Sequence, residues 1–146
     1  MRLVVDTRVL VGELLRAAGR TRLGDDRLEL FLPEQMWGET QVELPRRISA
    51  FVRRRGLEPT LGDELAAACL AAVDANIVIL DEGIYAALEG EARERSLRDA
   101  RDWPAVASAL ALNAAIWTND NDFLGTGVAT WTTDTLQRWL ERQPAR

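Results

Sequence analysis

The sequence predicts an α/β domain: a three-layer α/β/α sandwich with a central, mostly parallel sheet of four or five strands. Three observations carry this. Short β-branched or apolar runs recur along the chain at 2–5, 28–32, 77–80 and 115–118, with a candidate fifth at 128–131. Between most of them lie stretches with helical spacing, which is the pattern of βαβ units. No repeat, low-complexity tract or linker interrupts the 146 residues, so residues 1–146 are read as one domain.

Each element has a local reason. "RLVV" is a short buried strand ending at Asp6. Val9, Leu10, Val11, Leu14, Leu15 and Ala18 then recur at helical spacing, with Gly19 able to end that helix and "RTRLGDDR" forming a polar turn. "LELFL" is a second strand, stopped by Pro33. A helical pattern runs from Glu34 to Arg55; Pro45 is expected to start, kink or split a helix there, and Gly56 ends it. "PTLGDELAAACLAAVDAN" is a strong helix with Thr60 or Asp63 as its cap. "IVIL" is a third strand, and "EGIYAALEGEARERSLRDA" an amphipathic helix. "DWPAVASALALNA" opens on Asp102 as a plausible N-cap, with Pro104 in its first turn. It is apolar almost all round, so it belongs deep in the core. "AIWT" is a strand, "VATW" a candidate fifth, and "TDTLQRWLERQ" a closing helix with Leu136, Trp139 and Leu140 on one face.

Composition removes whole classes of chemistry. The chain has no histidine and no lysine; all 18 basic residues are arginine. Ser-His-Asp and Cys-His pairs, His-based zinc sites, P-loop lysines and Schiff bases are therefore excluded. Catalysis has to run on carboxylates, hydroxyls, arginine, or a metal held by carboxylates. No apolar run approaches the roughly 20 residues of a membrane span, no signal-peptide pattern opens the chain, and the single Cys69 reads as a buried hydrophobe in a reducing compartment. The expected location is the cytoplasm. The net charge of −5 argues weakly against nucleic acid as a partner. Two arginine groups, Arg46, Arg47 and Arg53 to Arg55, and Arg8, Arg16, Arg20 and Arg22, are either solvated helix faces or phosphate contacts. The tryptophans read mostly as core, with Trp37 able to meet a partner or stack on a base.

The acids are placed unusually. In an open parallel sheet, sites form beyond the carboxyl ends of strands, where strand order switches. Asp6 ends the first strand; Asp120 and Asp122 follow the fourth, in "IWTNDNDF". Singly, Asp6 and Asp102 read as helix caps, Asp120 and Asp122 as turn residues, and Glu39 as a helix glutamate. Together they put carboxylates repeatedly where buried strands end. Converging carboxylates raise one another's pKa values, and a hard divalent cation such as Mg²⁺ or Mn²⁺ relieves that conflict. Such an ion binds phosphate oxygens and acidifies water, which permits phosphodiester hydrolysis without histidine or lysine.

The sequence resembles a PIN domain over essentially its whole length, and is similar to the VapC-type toxins of toxin–antitoxin pairs. "VVDTRVLVGELL" resembles the first strand, first acid and following helix; "LFLPEQMWGETQVEL" the strand, proline and helix bearing a glutamate; "RDWPAVASALALNAAIWTNDNDF" the most specific block. The resemblance implies a metal-dependent ribonuclease with Asp6, Glu39, Asp102 and Asp120 as catalytic residues. Asp6, Asp102, Asp120 and Asp122 are its metal-ligand set. Thr118 matches a small hydroxyl position and is expected to support the metal; by their charge, Arg8, Arg46 and Arg47 are the arginines expected to hold RNA. Glu34 and Glu43 compete with Glu39, and Asp99 with Asp102; Asp102 is preferred because it directly precedes the buried helix. The implied cofactor is Mg²⁺ or Mn²⁺. The implied partners are an RNA substrate, a small antitoxin that covers the site, and a second copy in a homodimer; no membrane is implied. Arg8 departs from the family, where a small residue is common. The alternative is a catalytically silent PIN-like module that binds RNA or protein. A receiver domain or a haloacid-dehalogenase-type phosphatase needs a lysine, and the second also needs Asp-x-Asp where Arg8 stands.

Overall fold

A computed structural model describes residues 1–144. Five strands form one parallel sheet: β1 (Arg2–Val5), β2 (Glu29–Pro33), β3 (Ile77–Leu80), β4 (Ala115–Trp117) and β5 (Thr130–Trp131), in the order β3-β2-β1-β4-β5. The chain therefore starts in the middle, steps outward through β2 to β3, and returns to the other side of β1 with β4. The strand order reverses between β1 and β4. Register is set by apolar pairs such as Val4 with Phe31 and Val5 with Trp117.

Helices cover both faces, as right-handed crossovers require when the chain reverses direction across a sheet. One layer holds α1 (Thr7–Leu14), α2 (Ala17–Leu23), α3 (Glu34–Arg55) and α4 (Pro59–Asn76), which pack on one another. The opposite layer holds α5 (Glu82–Tyr85), α6 (Glu89–Arg95) and α7 (Trp103–Leu112), with α7 against β1, β2 and β4. α8 (Thr133–Arg142) closes the described chain behind a Thr132–Thr135 capping box, burying Leu136 and Leu140 while Trp139 is half-buried. The core runs through Leu3, Val4 and Val5 of β1, Leu10 and Leu14 of α1, Ile116 and Trp117 of β4, and Val106 of α7, all fully buried. Cys69 is buried too, its thiol donating to the Leu14 carbonyl oxygen. No helix among the described residues is long and apolar enough to cross a membrane.

Several sequence expectations need correction. Gly19 does not end a helix. The first helix stops at Leu14, and Gly19 lies buried inside α2, which runs on to Leu23 through half of the expected polar turn. A Cβ at Gly19 would collide with the Glu13 backbone, so glycine is what allows α2 to fold back so closely on α1. Pro45 does not divide α3: Pro45 and Gln41 are both exposed, so water can take the carbonyl that proline leaves without a donor. α4 begins at Pro59, one turn ahead of Asp63, and neither Thr60 nor Asp63 caps it; Glu58 is its N-cap. The expected long helix over 82–100 breaks into α5, a 3₁₀ turn and α6, which ends where Ser96 turns its hydroxyl back onto the Ala92 carbonyl oxygen at 2.8 Å.

Candidate functional site

The site grows from the reversal of strand order. β1 ends at Val5, and the next residue, Asp6, donates its N–H to the Trp117 carbonyl oxygen at 2.9 Å, extending the β1–β4 ladder by one rung. Asp6 holds the N-cap position of α1, yet its carboxylate makes no capping bond. It accepts instead from the Thr118 hydroxyl at 2.9 Å, across 112 residues of sequence. Thr118 is buried, and the same hydroxyl oxygen accepts the Asp120 N–H at 3.0 Å. One threonine thus ties the ends of two neighbouring strands and fixes the two aspartates relative to each other.

Asp120 in turn accepts the Asp122 N–H at 2.9 Å and opens a single 3₁₀ turn at Asn121–Phe123, anchored by buried Phe123. Asp122 is therefore not the cap of this turn. Its carboxylate lies 3.9 Å from the Arg98 guanidinium. Asp102 comes from the opposite helical layer. It precedes α7, and it too makes no capping bond; the turn before it is capped by Asp99. Glu39 comes from the exposed side of α3 and accepts from the Thr7 hydroxyl at a long 3.4 Å.

These side chains share one open cavity of about 720 Å³, lined by Asp6, Glu39, Glu43, Asp99, Asp102, Asp120 and Asp122 together with Arg8, Arg47 and Arg101. Seven carboxylates face three guanidiniums there, so negative charge is in excess. Burial raises the Asp6 pKa above the usual carboxylate value, and Asp120 adds to it; the Thr118 hydroxyl and the Arg8 backbone and side chain offset part of the shift. Asp102 is pushed up to about 6, first by burial and then by the charges of Asp99, Asp6, Asp120 and Asp122. Two carboxyls that resist ionisation among other acids are the electrostatic signature of a cation site. The oxygen-only donor set fits a hard divalent ion such as Mg²⁺ or Mn²⁺.

The tightest trio of carboxylates is not the expected one. Asp99, Asp102 and Asp122 each offer an oxygen within 4.8 Å of the others. Asp99, however, is engaged: Arg101 donates to it from Nε at 3.0 Å and from a terminal nitrogen at 2.9 Å, which holds its pKa below the usual value. The Arg101–Asp99 pair has no counterpart in the sequence reading. Its only sequence trace is the spacing "DAR", in which a turn lets an aspartate meet both the backbone and the side chain two residues on. Arg8 and Arg47 line the cavity, whereas Arg46 does not; successive helix residues turn by about 100°. Arg16 and Arg22 are occupied elsewhere, both paired with the buried Glu13, and Arg20 donates to the Leu14 carbonyl oxygen. These three arginines, unlike Arg8, form a clasp between α1 and α2.

Comparison with known proteins agrees with this fold. Two solved structures align over 90% of the chain. One is FitAB bound to an IR36 DNA fragment, at 21% identity over 94% of that chain with a TM-score of 0.56. The other is FitAcB from Neisseria gonorrhoeae, at 22% identity over 96% of that chain with the same TM-score of 0.56. At such identities the likeness is one of fold. Curated proteins give no match. A family model described as PIN domain matches residues 4–141, which reaches from within β1 into α8 and includes every acid of the cavity. The chain belongs to the PIN domain family.

Proposed function

We propose that this PIN domain is a metal-dependent ribonuclease of the VapC type, the toxin of a toxin–antitoxin pair. The observation that carries the reading is the convergence of Asp6, Glu39, Asp102 and Asp120, from four distant parts of the chain, on one cavity at the carboxyl edge of the sheet. Asp6, Asp102 and Asp120 would hold Mg²⁺ or Mn²⁺, with Asp122 at the rim. When bound, the ion supplies charge neutralisation and a more acidic water for hydrolysis of an RNA phosphodiester.

The protein's own groups have distinct tasks. Thr118 fixes the Asp6 carboxylate through its hydroxyl and the Asp120 backbone through its oxygen. Glu39 is exposed at the mouth and is suited to accept a proton from the attacking water or to orient it. Arg8 and Arg47 bring positive charge to an otherwise acidic rim and would meet the RNA backbone. The face of α3 turned away from the acids forms, with α4, an apolar groove of about 620 Å³ lined by Trp37, Leu44, Ile48, Val52 and Leu70. This groove supports the expectation of a small protein partner, and self-association as a homodimer belongs to the same reading.

The test is cleavage of RNA by purified protein with Mg²⁺ or Mn²⁺, and growth of cells after induction. Wild type should cut, lose activity in EDTA and arrest growth. Asp6→Asn and Asp120→Asn should each lose at least about 100-fold in rate, with unchanged far-UV circular dichroism and no growth arrest. Full activity of a clean Asp6→Asn preparation would falsify this mechanism; RNA retained but never cut would make the chain a binding module instead.

A further inference from the structure

The cavity contains a pair that the metal-site reading does not use. Arg101 stands immediately before Asp102, with its side chain 90% exposed, yet its guanidinium is paired with Asp99. Asp99 accepts Nε at 3.0 Å, one terminal nitrogen at 2.9 Å and the Arg101 backbone N–H at 3.0 Å. The carboxylate holds both ends of a two-residue turn, so the side chain and the backbone of Arg101 are oriented by the same group.

The geometry leaves a defined set of donors free. A guanidinium has five N–H groups in a rigid fork. The Nε edge is spent on Asp99. The opposite edge, made by the two terminal nitrogens, is open to solvent at the cavity mouth, and it is the edge that pairs with two oxygens at once. A flexible arginine loses rotamer freedom when it is held; here Asp99 already orients the side chain. A phosphodiester arriving at a cavity crowded with carboxylates needs such a fixed cation beside the acids.

We propose that Arg101, held by Asp99, is a phosphate-binding residue for the RNA backbone at the rim of the acid cavity, and that Asp99 is its positioning residue, not a metal ligand. The proposal rests on the ribonuclease reading and refines it. It also accounts for the trio of Asp99, Asp102 and Asp122: Asp99 lies among metal-competent acids, but its oxygens are committed to Arg101.

The experiment measures binding, not cleavage. A fluorescently labelled single-stranded RNA is titrated against the Asp120→Asn protein with magnesium present, over a series of salt concentrations, by anisotropy. Arg101→Ala in that background should weaken binding roughly tenfold and lower the slope of log K against log salt by about 0.7, the value of one lost phosphate contact on a single strand. Arg101→Lys should restore the slope without the full affinity, because lysine has the charge but not the fork. Asp99→Asn provides the sharper test. Simple electrostatics predicts tighter RNA binding when a negative charge is removed, whereas a positioning role predicts binding weakened about threefold to fivefold. Tighter binding by Asp99→Asn overturns the proposal, as does an unchanged slope in an Arg101→Ala protein that melts like its parent. An absence of RNA binding in the Asp120→Asn parent overturns the ribonuclease reading as well, so the two failures are distinguishable.

Discussion

At the scale of single residues, Asp102 is the most informative group. Its carboxyl titrates near 6 in the folded chain, against a usual value of 3.8. The folded state therefore holds more protons than the unfolded chain between those two values. Stability falls as pH rises through that window, and the penalty is complete above about pH 6. Asp102→Asn removes the penalty. In the absence of metal it should stabilise the protein at pH 7 by about 1–2 kcal/mol, allowing for solvent screening of a partly exposed group. The gain should shrink as pH falls towards 4 and disappear near about pH 3, below both values, where the wild-type carboxyl is protonated in both states. Thermal melts of the two proteins at these pH values check this; an equal gain at both would mean that charge is not the cause. The same residue shows where sequence reading stops. Asp102 stood out because it precedes a helix that is apolar on every side. The role of Asp99 was hidden, because its grip on Arg101 depends on a turn that no periodicity reports.

At the scale of elements, the elbow between α1 and α2 limits what the fold tolerates. Glu13 is fully buried and paired with Arg16 at 2.6 Å and with Arg22, and Gly19 presses against its backbone. Gly19→Ala should cost about 2–3 kcal/mol, as overpacking of a tight contact does, and lower the urea midpoint without changing the slope of unfolding. A midpoint within error of wild type would show that the two helices can part without loss. The inner strands β1 and β4 and the α7 helix are legible in the sequence because burial all round imprints a continuous apolar run. The α1–α2 break was not, because Gly19 reads as a terminator until the close approach is seen. The region from Glu82 to Ala100 has helical spacing throughout, but its hydrogen bonds are interrupted by the 3₁₀ turn at Ala86–Leu88 and by the back-bonded Ser96.

At the scale of the whole molecule, the acid cavity costs the fold stability through repulsion. Carboxylates brought together at the end of a sheet repel, and a bound cation should recover that energy. At a concentration one hundred times its dissociation constant, an ion that binds only the folded state adds about 2.7 kcal/mol, which corresponds to a rise in melting temperature of roughly 5–10 °C for a chain of this size. Mg²⁺ or Mn²⁺ should produce that rise, EDTA should reverse it, and Asp6→Asn should blunt it. A melting curve indifferent to millimolar amounts of either ion would remove the metal from the account.

The arrangement also has a consequence in time. Asp6 is made long before Asp120. The Thr118 hydroxyl that joins them spans 112 residues. No partial chain released before β4 has emerged can assemble the cavity, because β1 has no partner on that side until then. Pairing at such sequence distance is slow to form. The acid cavity thus exists only once a single pair of strands has closed.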